Sequence, residues 1–170
     1  MRTAFIALFL ANVTLSLVSL AILPDRVAIH FGSGGVPDGW ASSLTHTLLM
    51  LGVNTLLFGA LSFAPRLIAT VPSQWVNLPN RDFWLSPQRR PLAVEKLQHH
   101  LWRFGTAVFV FLLFAGLLTI RANRSDPVRL EEGLFLTGLG IFLAYTLYWV
   151  VGLVRAFRVP AAPPGGSTHV

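Results

Sequence analysis

The chain contains no cysteine. That absence excludes disulfides, thiolate nucleophiles, iron–sulfur ligation and cysteine-type zinc sites. Charge is also scarce: charged residues make up 12% of the 170, about half the share usual in a globular domain. Seven residues are acidic and thirteen basic, for a formal net charge of +6. The common enzyme signatures are missing too, with no G-x-S-x-G, P-loop, H-E-x-x-H or strand-linked G-x-G-x-x-G. No base-reading module or aromatic-basic stripe accompanies the positive charge, so nucleic acid is not an expected partner. The reading is therefore of a protein that is not an enzyme, with no catalytic residue, no cofactor and no metal.

What the chain has instead is hydrophobic sequence, 54% of the total. Four stretches lack any Asp, Glu, Lys or Arg: Thr3 to Leu23, Thr47 to Ala64, Phe104 to Ile120 and Gly133 to Val154. A helix needs roughly 17–25 apolar residues to cross the hydrocarbon core, and all four qualify. The first exceeds the ~7–15 apolar residues of a signal-peptide core, so a retained helix is expected. Pro65 is expected to stop the second span.

The positive residues predict orientation. With the N-terminus inside, Arg2, Arg66, Arg81, Arg89, Arg90, Lys96, Arg103, Arg155 and Arg158 are cytoplasmic, against Arg26, Arg121, Arg124 and Arg129 outside. That bias follows the positive-inside rule and predicts N-in, C-in. The expected fold class is thus an all-α integral membrane protein with about four transmembrane helices and a structured extracytoplasmic loop between the first two. Its segments are a two-helix domain over 1–65, a basic cytoplasmic loop and helix over 66–103, a transmembrane helix pair over 104–158 and a disordered tail over 159–170.

Within the spans the polar residues are mild. Asn12 and Asn54 lie on the first two helices, where a bond between them would help packing. Gly133, Thr137, Gly140 and Ala144 follow steps of four, three and four, a small-residue face that lets another backbone approach. A sister helix in the same chain is the simpler partner, and a second copy the alternative. Trp102 and Phe157 near span ends suit the headgroup interface.

The loops hold the remaining information. In the first, Val27, Ile29 and Phe31 alternate like a short strand, Gly32 to Gly35 break the pattern, and Pro37-Asp38-Gly39 is a turn signal. Trp40 is placed to dip into the headgroups, and Ser42 or Ser43 can cap the second helix. His30, Asp38 and His46, with Asp25, offer metal-ligand chemistry, but their spacing matches no metal motif; a hydrogen bond from His30 within the loop is the plainer use. The middle loop, with Trp84, suits a segment lying on the inner leaflet. Ser86-Pro87 reads as a helix start, and Leu92 to Arg103 as a helix running into the third span. Adjacent His99 and His100 point about 100° apart and cannot readily share a ligand.

The run Leu23-Pro24-Asp25-Arg26-Val27-Ala28-Ile29-His30-Phe31-Gly32, continuing through Gly35-Val36-Pro37-Asp38-Gly39-Trp40, resembles the N-terminal domain of unknown function of bacterial Sdp-type immunity proteins. Pro24, His30, Phe31, Gly35, Pro37 and Asp38 fit that family's L-P-x-x-[IV]-x-x-H-[FW]-N-x-x-G-x-[PV]-D pattern, and Gly32 stands where the family often has Asn. The resemblance covers roughly residues 10–65, and Asn77-Leu78-Pro79-Asn80 with Trp84-Leu85 looks like the loop that follows the domain in smaller relatives. It implies a helix, an outer loop and a second helix in the cytoplasmic membrane of a bacterium. The immunity proteins themselves are longer, with further helices that detect a secreted toxic peptide.

From these readings the expected function is non-enzymatic binding, sensing or immunity. His30, Phe31, Gly35, Pro37, Asp38 and Trp40 would meet an extracytoplasmic peptide or membrane protein, and the lipid bilayer is the other partner. An accessory subunit of a transporter or envelope complex is the alternative, with oligomerisation open. A metal-dependent membrane enzyme ranks third.

Overall fold

A computed structural model describes residues 1–159, so the disorder expected for the tail at 160–170 lies outside the described residues. Helix α1 (Arg2–Ile22) leads into a hairpin of β1 (Arg26–Phe31) and β2 (Pro37–Ser42). Helix α2 (Ser43–Thr70) follows, then the short α3 (Arg81–Trp84), the long α4 (Arg90–Asn123) and α5 (Glu132–Ala156). Helices α1, α2, α4 and α5 are each long and apolar enough to cross a membrane. Leu10, Leu17, Leu48, Leu56, Ile141 and Leu147 stand on their exposed surfaces. A surface of that character needs lipid rather than water around it, so the chain is built as a multi-pass membrane protein.

Three helices make the core of the bundle. In lipid, helices gain nothing from hiding apolar side chains from water, so they associate through close packing and internal hydrogen bonds. Phe5 stacks on Phe58 with ring centroids 5.1 Å apart and lies 5.4 Å from Phe109, which joins α1, α2 and α4 in one aromatic cluster. Gly105 on α4 permits this, because a Cβ there would stand 2.4 Å from the Phe5 ring. Helix α5 buries none of its residues and packs chiefly along α4. Phe104 stacks on Trp149 at 4.5 Å and Phe111 on Phe142 at 4.8 Å.

Several expectations are corrected here. The fold is mostly helical but not all-α, since the first loop is a two-stranded antiparallel hairpin. Pro37-Asp38-Gly39 is not its turn but the start of β2. The turn is Gly32 to Val36, closed by the Gly32 N–H donating to the Val36 carbonyl at 2.8 Å, with Gly34 and Gly35 at φ +73° and +72°. Glycine takes that left-handed backbone without strain, and proline tolerates a two-stranded ribbon because its missing N–H can face outward. Ser42 caps α2, accepting from the Thr45 N–H at 3.1 Å.

Pro65 does not end α2, which continues to Thr70. The carbonyls of Leu61 and Ser62, on the turn before the proline, face the Gln98 side-chain amide. In the orientation that satisfies both its ends, Gln98 donates to Ser62 at 3.2 Å and accepts from Trp102 Nε1 at 2.9 Å. Further on, the Arg90 guanidinium donates to the Ile68 carbonyl at 2.9 and 2.7 Å and also to that of Val71. Side chains of α4 thus donate to carbonyls in the turn before the proline and at the end of α2, where backbone donors run out. Ser86 starts a turn rather than a helix, and Pro91 occupies the first turn of α4.

The middle loop folds as a plug. Val76, Trp84, Leu85, Ala93, Leu97 and Phe157 form a buried cluster between the loop, the start of α4 and the end of α5. Phe157, expected at the headgroup interface, is fully buried. Its carbonyl, one of those left open at the end of α5, accepts from Asn80 Nδ2 and Trp84 Nε1, both at 2.8 Å. Lys96, the only lysine of the chain, donates to the Ala156 carbonyl and sits 4.5 Å from the Trp84 ring centroid. A cation here complements the negative end of the helix dipole. The loop is therefore a C-terminal cap for α5, with Val76, Trp84 and Leu85 turned onto protein and Trp75 left exposed.

Candidate functional site

The hairpin is held by residues far away in sequence. Asn123, at the last turn of α4, pairs with the backbone of Ala28: its Oδ1 accepts from the Ala28 N–H at 2.7 Å and its Nδ2 donates to the Ala28 carbonyl at 3.0 Å. The amide thus acts like one rung of a neighbouring strand on β1. Val27 and Ala28 are wholly buried, and Val27 packs with Leu23 and Ile120. The turn is fastened as well. The Leu130 N–H donates to the Gly35 carbonyl at 2.9 Å, the Gly34 N–H to Glu132 Oε2 at 2.9 Å, and Arg129 Nε to the Gly34 carbonyl at 2.7 Å. Arg121 and Glu131, 2.6 Å apart, tie the end of α4 to the start of α5.

On this scaffold the expected site residues separate into two groups. His30 Nδ1 and Asp38 Oδ1 lie 2.5 Å apart across the ribbon, with side chains 73% and 54% exposed. The expected in-loop bond of His30 is therefore present, with Asp38 as its partner. Trp40 is partly exposed and carries the Arg26 guanidinium 4.7 Å from its ring centroid. Ile29 and Val36 add exposed apolar surface. Gly35, in contrast, is buried against Leu130, and Phe31 pairs with Pro37 at the hairpin end. Gly39 is required by its cross-strand neighbour, because a Cβ there would come 2.8 Å from that of His30.

A second polar site lies inside the bundle. Asn12, Ser16, Ser19, His46 and Asn54 line a cavity of about 30 Å³ between α1, α2 and α4, which has room for a water molecule. Asn12 and Asn54 share this cavity but do not bond to each other. Asn12 Nδ2 donates to the Phe109 carbonyl on α4 and to Leu8 on its own helix, both at 2.9 Å, while Asn54 Nδ2 donates back to Met50 at 2.7 Å. Asn54 Oδ1 and Thr47 Oγ1 are buried without a partner among the described residues.

His46 belongs to this interior site, apart from the exposed His30–Asp38 pair. Among the described residues, no group of three His, Asp or Glu side chains is arranged to hold a metal ion. The small-residue face of α5 is turned outward. Gly133, Thr137, Gly140 and Ala144 are all exposed, and a Cβ on Gly133 or Gly140 would meet nothing within 4 Å. The small residue that packs internally is Gly138, under the Phe114 ring. Sequence reasoning missed Asn123, Arg129, Leu130 and Glu132. An amide side chain at the end of an apolar span was the available signal.

With that geometry in place, the comparison with known families is informative about one region. Residues 7–55 match the family model described as Domain of unknown function (DUF1648). The match takes in most of α1, the whole hairpin and nearly half of α2, so the region carrying the resemblance is similar to a domain of unknown function. Neither the curated proteins nor the solved structures contain a match.

Proposed function

We propose that this chain is a non-enzymatic binding or sensing protein of the bacterial cytoplasmic membrane, oriented N-in and C-in, whose hairpin meets a peptide or membrane protein outside the cell. The supporting observation is the hairpin's construction. Its inner face is locked by Asn123, Leu130 and Glu132, while His30, Asp38 and Trp40 stand exposed on it. Rigid presentation of exposed polar and aromatic groups lowers the ordering cost of binding. The positive-inside bias supports the orientation. The resemblance to the N-terminal domain of Sdp-type immunity proteins supports a peptide as the partner, with protection against a secreted peptide as the special case.

Photo-crosslinking from a probe at Trp40 in native membranes tests the reading, with mass spectrometry of the captured species. A discrete peptide or protein, lost in a His30→Ala/Asp38→Ala variant that still inserts, is the expected result. Capture of lipid alone rejects it. The outward face at Gly133, Thr137, Gly140 and Ala144 favours a second reading, as an accessory subunit of a larger membrane complex. Gly140→Leu would then dissolve a complex preserved in mild detergent, and a wild type migrating alone would end that reading.

A further inference from the structure

The end of the bundle opposite the hairpin holds a cavity of about 360 Å³ that neither site above uses. Arg2 and Ile6 of α1, Phe58, Phe63 and Arg66 of α2, and Trp102 of α4 form its walls. This volume is in the range that takes small organic ligands. The two guanidiniums approach it from different helices. Arg2 Cζ is 5.9 Å from the Trp102 ring centroid, and Arg66 Cζ is 5.2 Å from that of Phe63. Neither arginine pairs with a carboxylate among the described residues, and no Asp or Glu lines the cavity.

Two like charges gathered at one cavity without a counter-ion repel each other unless an anion joins them. Each guanidinium offers a planar fork of donors that suits a phosphate. Ile6, Phe58, Phe63 and Trp102 supply an apolar part of the walls beside the polar Ser62 and Gln98, and Phe63 continues onto the exposed surface of α2. The ligand that meets both halves carries an anionic phosphate on an apolar body. A basic pocket between transmembrane helices is a known physical solution for anionic headgroups.

We propose that this cavity binds the headgroup of an anionic phospholipid, with Arg2 and Arg66 clamping the phosphate and an acyl chain lying along Ile6, Phe58 and Phe63. The site joins α1 to α2 at the end where no hairpin links them.

Native mass spectrometry tests this on the full chain released from nanodiscs of equal parts phosphatidylcholine and phosphatidylglycerol. Wild type is expected to retain one phosphatidylglycerol, and Arg2→Gln/Arg66→Gln to retain it roughly tenfold less, each arginine contributing on the order of a fewfold. Arg89→Gln, at the same end but stacked on Phe83 away from the cavity, is expected to retain as much as wild type. Arg2→Lys/Arg66→Lys should fall between, since charge is kept and the fork lost; it also serves if the glutamine pair fails to fold. Equal retention by wild type and both double variants overturns the proposal, as does an equal loss with Arg89→Gln. Displacement of the lipid by millimolar inorganic phosphate would also overturn it, by showing a small-anion site.

Discussion

Gly35 and Leu130 touch so closely that a Cβ on the glycine would lie 2.0 Å from the Leu130 carbonyl oxygen. The same glycine holds φ +72° and accepts the Leu130 N–H at 2.9 Å. One position thus decides both the shape of the hairpin turn and its attachment to the α4–α5 connection.

Gly35→Ala is therefore expected to destabilise the hairpin end by about 1–3 kcal/mol through backbone strain, with the steric clash added. Gly34→Ala should cost less. It also has positive φ, but its Cβ would meet only the flexible end of Arg129, at 3.4 Å. Thermal unfolding of the two variants in one detergent checks the order, and equal midpoints would refute it.

Asn123→Leu keeps the approximate volume but leaves the buried N–H and carbonyl of Ala28 without their side-chain partner. An unmet buried polar group costs roughly 1–3 kcal/mol. The Ala28 amide is expected to exchange with deuterium much faster in the variant, while the centre of α4 stays protected. Unchanged exchange at Ala28 would show that the pairing does not hold the hairpin.

Asn12 and Asn54 should respond in opposite directions to leucine. Asn12→Leu removes a bond to the Phe109 carbonyl across helices, and interhelical bonds in membranes are worth roughly 0.6–2 kcal/mol. Asn54→Leu removes a buried oxygen that has no partner among the described residues, so its stability should match or exceed wild type. Unfolding in detergent distinguishes them, and a destabilised Asn54→Leu would mean that a bound guest satisfies that oxygen.

Trp84→Phe retains an aromatic ring in the plug but loses the N–H bond to the Phe157 carbonyl. A cost of about 1 kcal/mol is expected. Lys96→Met keeps the stem and removes the cation that faces the end of α5, a further loss of roughly 0.3–2 kcal/mol from the dipole alone. Proteolysis of the Pro72–Arg89 region should accelerate in both. Resistance equal to wild type would count against the cap.

The four spans were legible because membrane crossing is a one-dimensional property: an uncharged apolar run of sufficient length needs no partner to be recognised. The strand signalled by Val27, Ile29 and Phe31 and the cap at Ser42 are local in the same way, and both appear in the fold. The alternation itself does not hold: the register shifts along β1, so Val27 and Ala28 are both buried and Ile29 is exposed. Long-range partners were not legible. Nothing near Ala28 in sequence announces Asn123, 95 residues away, and nothing near Phe157 announces Asn80, Trp84 or Lys96. The outward direction of Gly133, Thr137, Gly140 and Ala144 was hidden for the same reason. A helical stripe shows which residues share a face, whereas the arrangement of the other helices determines what that face meets. Pro65 marks the boundary between the two kinds of information. Locally it is a helix breaker, but α2 runs on to Thr70, with Gln98 and Arg90 meeting carbonyls before the proline and at the helix end. Sequence alone therefore determined the number of the apolar helices and where their uncharged runs lie, because hydrophobicity and length are properties of a segment. Only the tertiary structure decided how the hairpin is held, which polar groups are satisfied and which faces remain free, because those depend on atoms brought together from distant parts of the chain.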